Sequence, residues 1–486
     1  MNVYFSDYFG VPVDVLDAYG AFNVSLINDL PVFIDPFLLF NSENSEYQEL
    51  HKKIIEYITF LRKMSEGGKI SKGLISHWFL FPEVKQNWLG YSKVGNGGAG
   101  LGPNFAAALN SNLSTIFSDF GSEKVTKSSH LEKLCLIKDG VGKDSISDFT
   151  TNLIKGYLCE YTQTFAAKHL DKNRTKTVQV THSEFNYQTR RWHSKKFTLP
   201  YIDGDYVLLT PKDILTKDEA WINKHDIIGD FDEIVESIPN LELRAQINDY
   251  LLRQIPEDPK QREINEAIAK TLRKFPALID RYIRYKEDNG DKAVSISEQK
   301  IKEIESIFIH QVTTLVEELR NDGNFYNSTR DTFEEAYNRV IYLKQVIEKN
   351  DGYRIFYIKG EPVKRESDLQ LMFRLTWYAS DDDVNAEVNN GRGPVDYKIS
   401  RGSKDSTLVE FKLASNSKLK QNLENQVEVY KAANQTKKSI KVILYFSDSE
   451  LMKVQRIMKE LDLKEGNELI LIDAQATNKP SGSNTK

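Results

Sequence analysis

The sequence predicts an α/β protein in three parts: an α+β N-terminal domain over residues 1–250, a helical connector over 251–352 and a compact α/β domain over 353–473. Three observations lead there. Helix and strand patterns alternate from 353 to 473 in the order αβββαβαβ, which builds a mixed central sheet with helices on both faces. Apolar residues recur at spacings of three and four across the connector. The first half mixes short apolar runs with turn residues and shows no repeat.

The chain has 486 residues, room for two to four domains at roughly 150 residues each. Charged residues are 28% and apolar ones 40%, a globular balance. A net charge of −5 excludes a uniformly basic coat for nucleic acid. Residues 354–486 carry 22 Lys and Arg against 19 acids, a local +3, so the remainder stands at −8. The two cysteines, Cys135 and Cys159, are too few for a disulfide framework or a zinc cluster, and read as packing residues in helices. The eight histidines show no HxxxH or HExxH spacing. No signal peptide or long apolar run is seen, so a cytoplasmic protein without a membrane partner is expected.

In the first part, Val32–Ile34 before Asp35-Pro36 and Tyr206–Leu209 before Thr210-Pro211 predict strands. Leu50–Met64 and Asn104–Phe117 have helical spacing. Gly90–Gly102 holds six glycines and fits GxGxxG, but without a preceding strand or a Walker Lys it reads as a loop before it reads as a nucleotide site. The stretch Arg190, Arg191, Trp192, His193, Lys195, Lys196 near Tyr187 has two readings: a solvated hairpin, or a nucleic-acid contact ribbon.

In the connector, Ser295 with Glu298 predicts a capping box, followed by a stripe through Ile301, Ile304, Phe308, Val312, Leu315 and Leu319 that stops at Asn321-Asp322-Gly323. A second helix presents Phe333, Tyr337, Val340, Leu343 and Ile347. The pair predicts an antiparallel hairpin, either a packed spacer or an oligomerisation surface.

The last part opens with a helix over Lys364–Ala379 and strands over Val384–Val388, Val395–Ser400 and Leu408–Leu413. A helix over Lys418–Ala433, a strand over Ile440–Phe446, a helix over Ser449–Leu461 and a strand over Leu469–Ile472 follow. Residues 474–486 read as a polar tail. Two neighbouring strands carry charge where apolar side chains are expected: Asp396 in one, Glu410 and Lys412 in the other. Strand residues two apart share a side, so Glu410 and Lys412 project together, away from Val409, Phe411 and Leu413. Half-burying such groups is costly unless they pair or bind a cation, and carboxylates with carbonyl oxygens suit a hard ion such as Mg²⁺.

This constellation resembles the PD-(D/E)xK nuclease superfamily over roughly the last quarter of the chain. Asp396 matches the motif's Asp, and Glu410 and Lys412 match its (D/E)xK. Glu366 on the preceding helix fits an additional acid, with Asp368 the weaker choice, and Gln426 and Tyr430 match the QxxxY of the RecB-like and λ-exonuclease-like branches. Pro394 stands two residues before Asp396 where the motif's name implies one. The resemblance implies a restriction-endonuclease-like αβββαβ core and phosphodiester hydrolysis with Mg²⁺, or Mn²⁺ in its place. It implies metal held by Asp396, Glu410, the Phe411 carbonyl and Glu366, with Lys412 at the attacking water or the phosphate. Gln426 and Tyr430 would position the substrate strand, and Arg392, Lys418 and Lys420 could touch its backbone or be solvated charge. DNA is the expected substrate, and the layout resembles prokaryotic defence effectors in which an N-terminal region senses, selects or oligomerises. The alternatives are an RNase and a non-catalytic nucleic-acid-binding or regulatory protein on the same fold.

Overall fold

The structure is a computed structural model that describes residues 3–66, 70–90, 101–103, 105–106, 109–110, 113, 123–137, 143–217, 219–256, 258–311, 331–349, 352–358, 361–362, 366–377, 383–389, 394–401, 405–426 and 438–479. The chain forms two compact units that divide near residue 301.

In the first unit, helix α1 (Ser45–Glu66) buries Tyr47, Leu50, Ile54, Tyr57, Ile58 and Leu61, a stripe at helical spacing. Helix α2 (Lys143–His169) packs on a hairpin of β1 (Thr175–Asn186) and β2 (Arg191–Ile202). Gly156 of α2 is the point of closest approach: a Cβ there would lie 2.3 Å from the Ser183 carbonyl oxygen, so no other residue fits. The first unit continues with α3 (Leu241–Gln254), α4 (Gln261–Lys274), α5 (Ala277–Asp288) and α6 (Gly290–Ile304).

Several elements differ from expectation. The strand expected at Val32–Ile34 shrinks to Phe33–Ile34, paired with Leu215–Thr216. Val207–Leu209 are fully buried yet form no strand, because other groups take their backbone N–H donors: the Thr162 hydroxyl accepts from Leu209 at 2.9 Å and the Gln86 carbonyl from Leu208 at 2.8 Å. Helix α6 starts at Gly290, so Ser295 lies in its interior rather than at its cap. A π-helical turn, Glu305–Gln311, follows it. Val312, Leu315, Leu319, the turn at 321–323 and most of 91–122 lie outside the described residues.

The second unit holds the mixed α/β domain. It comprises α7 (Thr332–Lys349), α8 (Glu366–Leu375), β3 (Asp383–Asn389), β4 (Pro394–Arg401), β5 (Asp405–Leu413), β6 (Lys438–Tyr445), α9 (Asp448–Glu460) and β7 (Leu469–Asp473). The sheet order is β7-β6-β5-β4-β3. Strands β3, β4 and β5 are antiparallel neighbours, and β5, β6 and β7 run parallel. Pro394 is tolerated because it begins its strand. On one face Ile443, Leu469 and Leu471 pack with Leu419, Leu423, Val454 and Ile457. On the other, Phe373 of α8 meets Tyr397 and Phe411 at ring-centroid distances of 5.3 and 5.2 Å.

The division differs from the three parts expected at 250 and 352. Helices α3 to α5 lie within the first unit, and α7 packs on β5, β6 and β7 within the second. Val340, Leu343 and Ile347 of α7 are buried as expected, but Glu335 and Arg339 are buried beside them. These two pair with each other, and Arg339 stacks 4.0 Å over the Trp377 ring and donates to the Thr376 carbonyl at 3.2 Å. The charged pair disguises this face in a hydropathy pattern. The helix therefore contributes to the core of the α/β domain rather than to a hairpin spacer.

Candidate active site

The pairing of Tyr397 with Val409 puts Asp396 opposite Glu410 at the next step of the β4–β5 ladder. Lys412 lies two residues on, toward the same side as Glu410. Its Nζ stands 3.3 Å from Glu410 Oε1, 3.7 Å from Asp396 Oδ2 and 3.7 Å from Glu366 Oε2. Glu366 reaches this point from the first turn of α8, and its Oε1 accepts the Leu413 N–H at 3.2 Å. Asp396 Oδ2 accepts the Phe411 N–H at 2.6 Å, where the ladder would otherwise leave that donor unpaired. Apolar Val409 and Phe411, both fully buried, anchor β5 from the other face of the sheet.

Three carboxylates thus surround one ammonium in a mostly buried setting, where Glu410 is 5% exposed. Burial pushes the Asp396 carboxyl above its usual range, against the pull of Lys412 and of the Phe411 N–H. Burial does the same to Glu410, and Asp396 adds to it. Burial also works on Lys412, pushing its ammonium down, but Asp396, Glu410 and Glu366 together outweigh it and hold the group above its ordinary range. The cluster keeps a net negative formal balance that one lysine does not cancel.

The structure therefore brings together Asp396, Glu410, Lys412 and Glu366. The Phe411 carbonyl is also present, and it accepts from Lys412 Nζ at 2.9 Å. Asp368 is fully buried in α8, away from this set of contacts with Lys412. Gln426 ends a π-helical turn, Asn422–Gln426, that follows Leu419–Gln421, where one continuous α-helix was expected. The Gln426 side chain, Tyr430 and Arg392 lie outside the described residues. Lys418 is exposed, and Lys420 pairs with Glu460 at 2.9 Å on α9, so its charge already has a partner. Among the described residues, no set of three or more His, Cys, Asp and Glu side chains is arranged to hold a metal ion.

Two residues at this site were not singled out in the sequence. Gln370, one turn beyond Glu366 on α8, hydrogen-bonds Asp396 through its side chain, and its carbonyl accepts the Tyr397 hydroxyl at 2.9 Å. Its i, i+4 relation to Glu366 was the available signal. Lys441 is the register partner of Glu410 on β6, helps hold that carboxyl down, and donates to the Leu423 carbonyl at 3.1 Å. A lysine inside the apolar run of β6 was its signal.

In the first unit, sequence spacing hid a second buried cluster. His51 and His130 have ring centroids 5.6 Å apart, and His130 Nε2 lies 2.9 Å from Glu287 Oε1. Burial, then His130, lowers the His51 pKa to about 3. Both cysteines are buried, and burial pushes the Cys159 thiol up to about 12, which agrees with a packing role. Among the described residues no helix is long and apolar enough to cross a membrane.

Residues 10–223 match a family described as Domain of unknown function (DUF8370). Residues 332–448, from the start of α7 through the four candidate side chains to the first residue of α9, match a second, Domain of unknown function (DUF8371). No curated protein and no solved structure matches the chain.

Proposed function

We propose that the second unit is a metal-dependent nuclease that hydrolyses phosphodiester bonds, with DNA as its substrate. The observation that carries this reading is the convergence of Asp396, Glu410 and Glu366 on Lys412 from two adjacent strands and a helix. A structural ion pair needs one acid for one lysine. Here two of the three carboxyls are pushed toward their protonated forms by burial, a strained balance that is common at functional sites.

The donor set fits a hard divalent cation: it is all oxygen, and its excess negative charge is what a dication would offset. Asp396, Glu410, Glu366 and the Phe411 carbonyl would hold Mg²⁺, which supplies an activated water and charge compensation at the phosphate. Lys412 supplies a mobile donor that can hold the attacking water or a phosphate oxygen. Gln370 orients Asp396, and Lys441 adds to Lys412 in opposing the upward push of burial on Glu410.

The test is a cleavage panel on linear, circular and single-stranded DNA and on RNA, with and without Mg²⁺. Wild-type protein is expected to cut DNA only with the cation. Asp396→Asn and Lys412→Ala are expected to lose at least about a hundredfold in rate. Equal cutting by all three proteins, or cutting of none of the substrates, overturns the reading.

A further inference from the structure

The β1–β2 hairpin, singled out in the sequence for its basic stretch, is not absorbed by the candidate site. Residues 175–202 hold five Lys and Arg against a single acid, Glu184, a local +4 in a chain of −5. Each strand has 12 residues, which gives a ribbon about 40 Å long.

Its cations fall into two sets. Midway along the ribbon Lys195 pairs with Glu160 of α2 at 2.5 Å, and near the base Lys176 lies 4.3 Å over the Tyr201 ring. Arg190, Arg191 and Lys196 are exposed, and among the described residues their side chains have no ion pair or hydrogen bond. Arg190 and Arg191 sit at the tip, and the paired Lys195 lies midway along the ribbon.

The tip is also held rigidly. Arg190 adopts a left-handed backbone with φ 53°, unfavourable for a residue with a side chain. Its carbonyl accepts the Trp78 indole N–H at 3.0 Å, and the Trp192 indole donates to the Tyr57 hydroxyl at 3.3 Å. Phe185 and Trp192, ring centroids 5.2 Å apart, pack against Tyr57 of α1. A bulge between Val180 and Glu184 makes this possible. Below it the covered residues of β2 are Phe197 and Leu199; beyond it the covered residue is Trp192, of opposite parity. The side that stays open at the tip carries Arg191 with Asn186, and nearer the base Lys196 with Gln179.

We infer that this hairpin is a nucleic-acid-contacting ribbon that binds the phosphodiester backbone of duplex DNA. Exposed cations on a two-stranded ribbon whose backbone is pinned at the tip match the charge of a duplex, whose grooves and flanking phosphates admit such an element. The choice of DNA as the polyanion rests on the nuclease reading; the charge and its rigidity do not.

The test measures binding of the full chain to a short fluorescent duplex in EDTA, across a salt series. The variants are Arg190→Glu with Arg191→Glu, Lys196→Glu, and Lys52→Glu on α1 as a control for net charge. Unchanged melting temperatures verify folding. The double reversal is expected to weaken binding at least about tenfold and to lower the slope of log affinity on log salt by about 2. Lys196→Glu should act less strongly, and Lys52→Glu should leave binding within about twofold. Equal weakening by Lys52→Glu, no effect of the double reversal, or no binding by wild type overturns the inference. Ribbon-dependent binding without cleavage of any substrate keeps the ribbon and removes the nuclease; cleavage with ribbon-independent binding does the reverse.

Discussion

Each unit buries a group of carboxyls, and the two are neutralised by different means. In the second unit Asp396, Glu410 and Glu366 share the ammonium of Lys412. In the first, Asp35 and Glu132 are fully buried side by side. Asp35 is held by the backbone N–H groups of Phe37 at 3.0 Å and Trp221 at 2.7 Å. Burial pushes the Asp35 carboxyl up to about 6, with the two N–H donors opposing it, and pushes Glu132 well above its usual range, with Asp35 adding to the effect. There burial favours the protonated forms, where the other cluster has Lys412. A cation-centred cluster can exchange its counter-ion for a metal; a proton-neutralised pair pins a structure and offers no charge for chemistry.

The comparison is most directly broken at Lys412. Lys412→Ala leaves three carboxylates without a cation and should lower stability by about 3 kcal/mol, read by urea unfolding in EDTA. Mg²⁺ should then raise the melting temperature of this variant more than that of wild type, because the dication replaces the lost ammonium. An equal or absent Mg²⁺ shift in both proteins would argue against a cation site.

The next effect is in pH. A carboxyl at about 6 in the folded chain and near 4 in the unfolded one holds its proton more tightly when folded. Asp35 therefore costs nothing below about pH 4. Its penalty grows between pH 4 and 6 and is complete above, at about 3 kcal/mol. Unfolding free energies of Asp35→Asn should lack that loss across the window; a slope identical to wild type would show that Asp35 does not titrate there.

The smallest effect is expected at Glu132. Glu132→Gln keeps the shape of a neutral carboxyl and should change stability at pH 7 by less than about 1 kcal/mol. Glu410→Gln, the same exchange in the other cluster, should remove most cleavage. Similar large losses of stability from both would erase the distinction between proton and cation.

Much of the second unit was legible residue by residue. The apolar run of β5 interrupted by Glu410 and Lys412, the Asp396 strand before it and the amphipathic α9 mark themselves by local alternation and period. Glu366 was legible because its helix face continues through Leu369 and Phe373. Gln370 and Lys441 were not, because a glutamine on a helix and a lysine on a strand are ordinary until register sets them beside Asp396 and Glu410. The role of α7 was hidden for a related reason: Glu335 and Arg339 read as a solvated face, and only packing against Trp377 turns them inward. The first unit was the least legible. Its short strands and the buried, strandless Val207–Leu209 depend on partners such as Thr162 and Gln86 that lie far away in the chain.

By itself the sequence determined the α/β pattern of residues 353–473, the side of β5 on which charge projects, and the basic hairpin at 190–196. Each of these follows from periods of two or from near neighbours, which the chain carries locally. Tertiary structure alone decided that α7 belongs with the sheet, that Asp35, Glu132, His51 and His130 lie buried near one another, and that Arg190 and Arg191 stand without partners among the described residues while Lys195 has one. Those outcomes depend on which distant groups meet and which stay in water, and that is settled by packing and desolvation rather than by spacing along the chain.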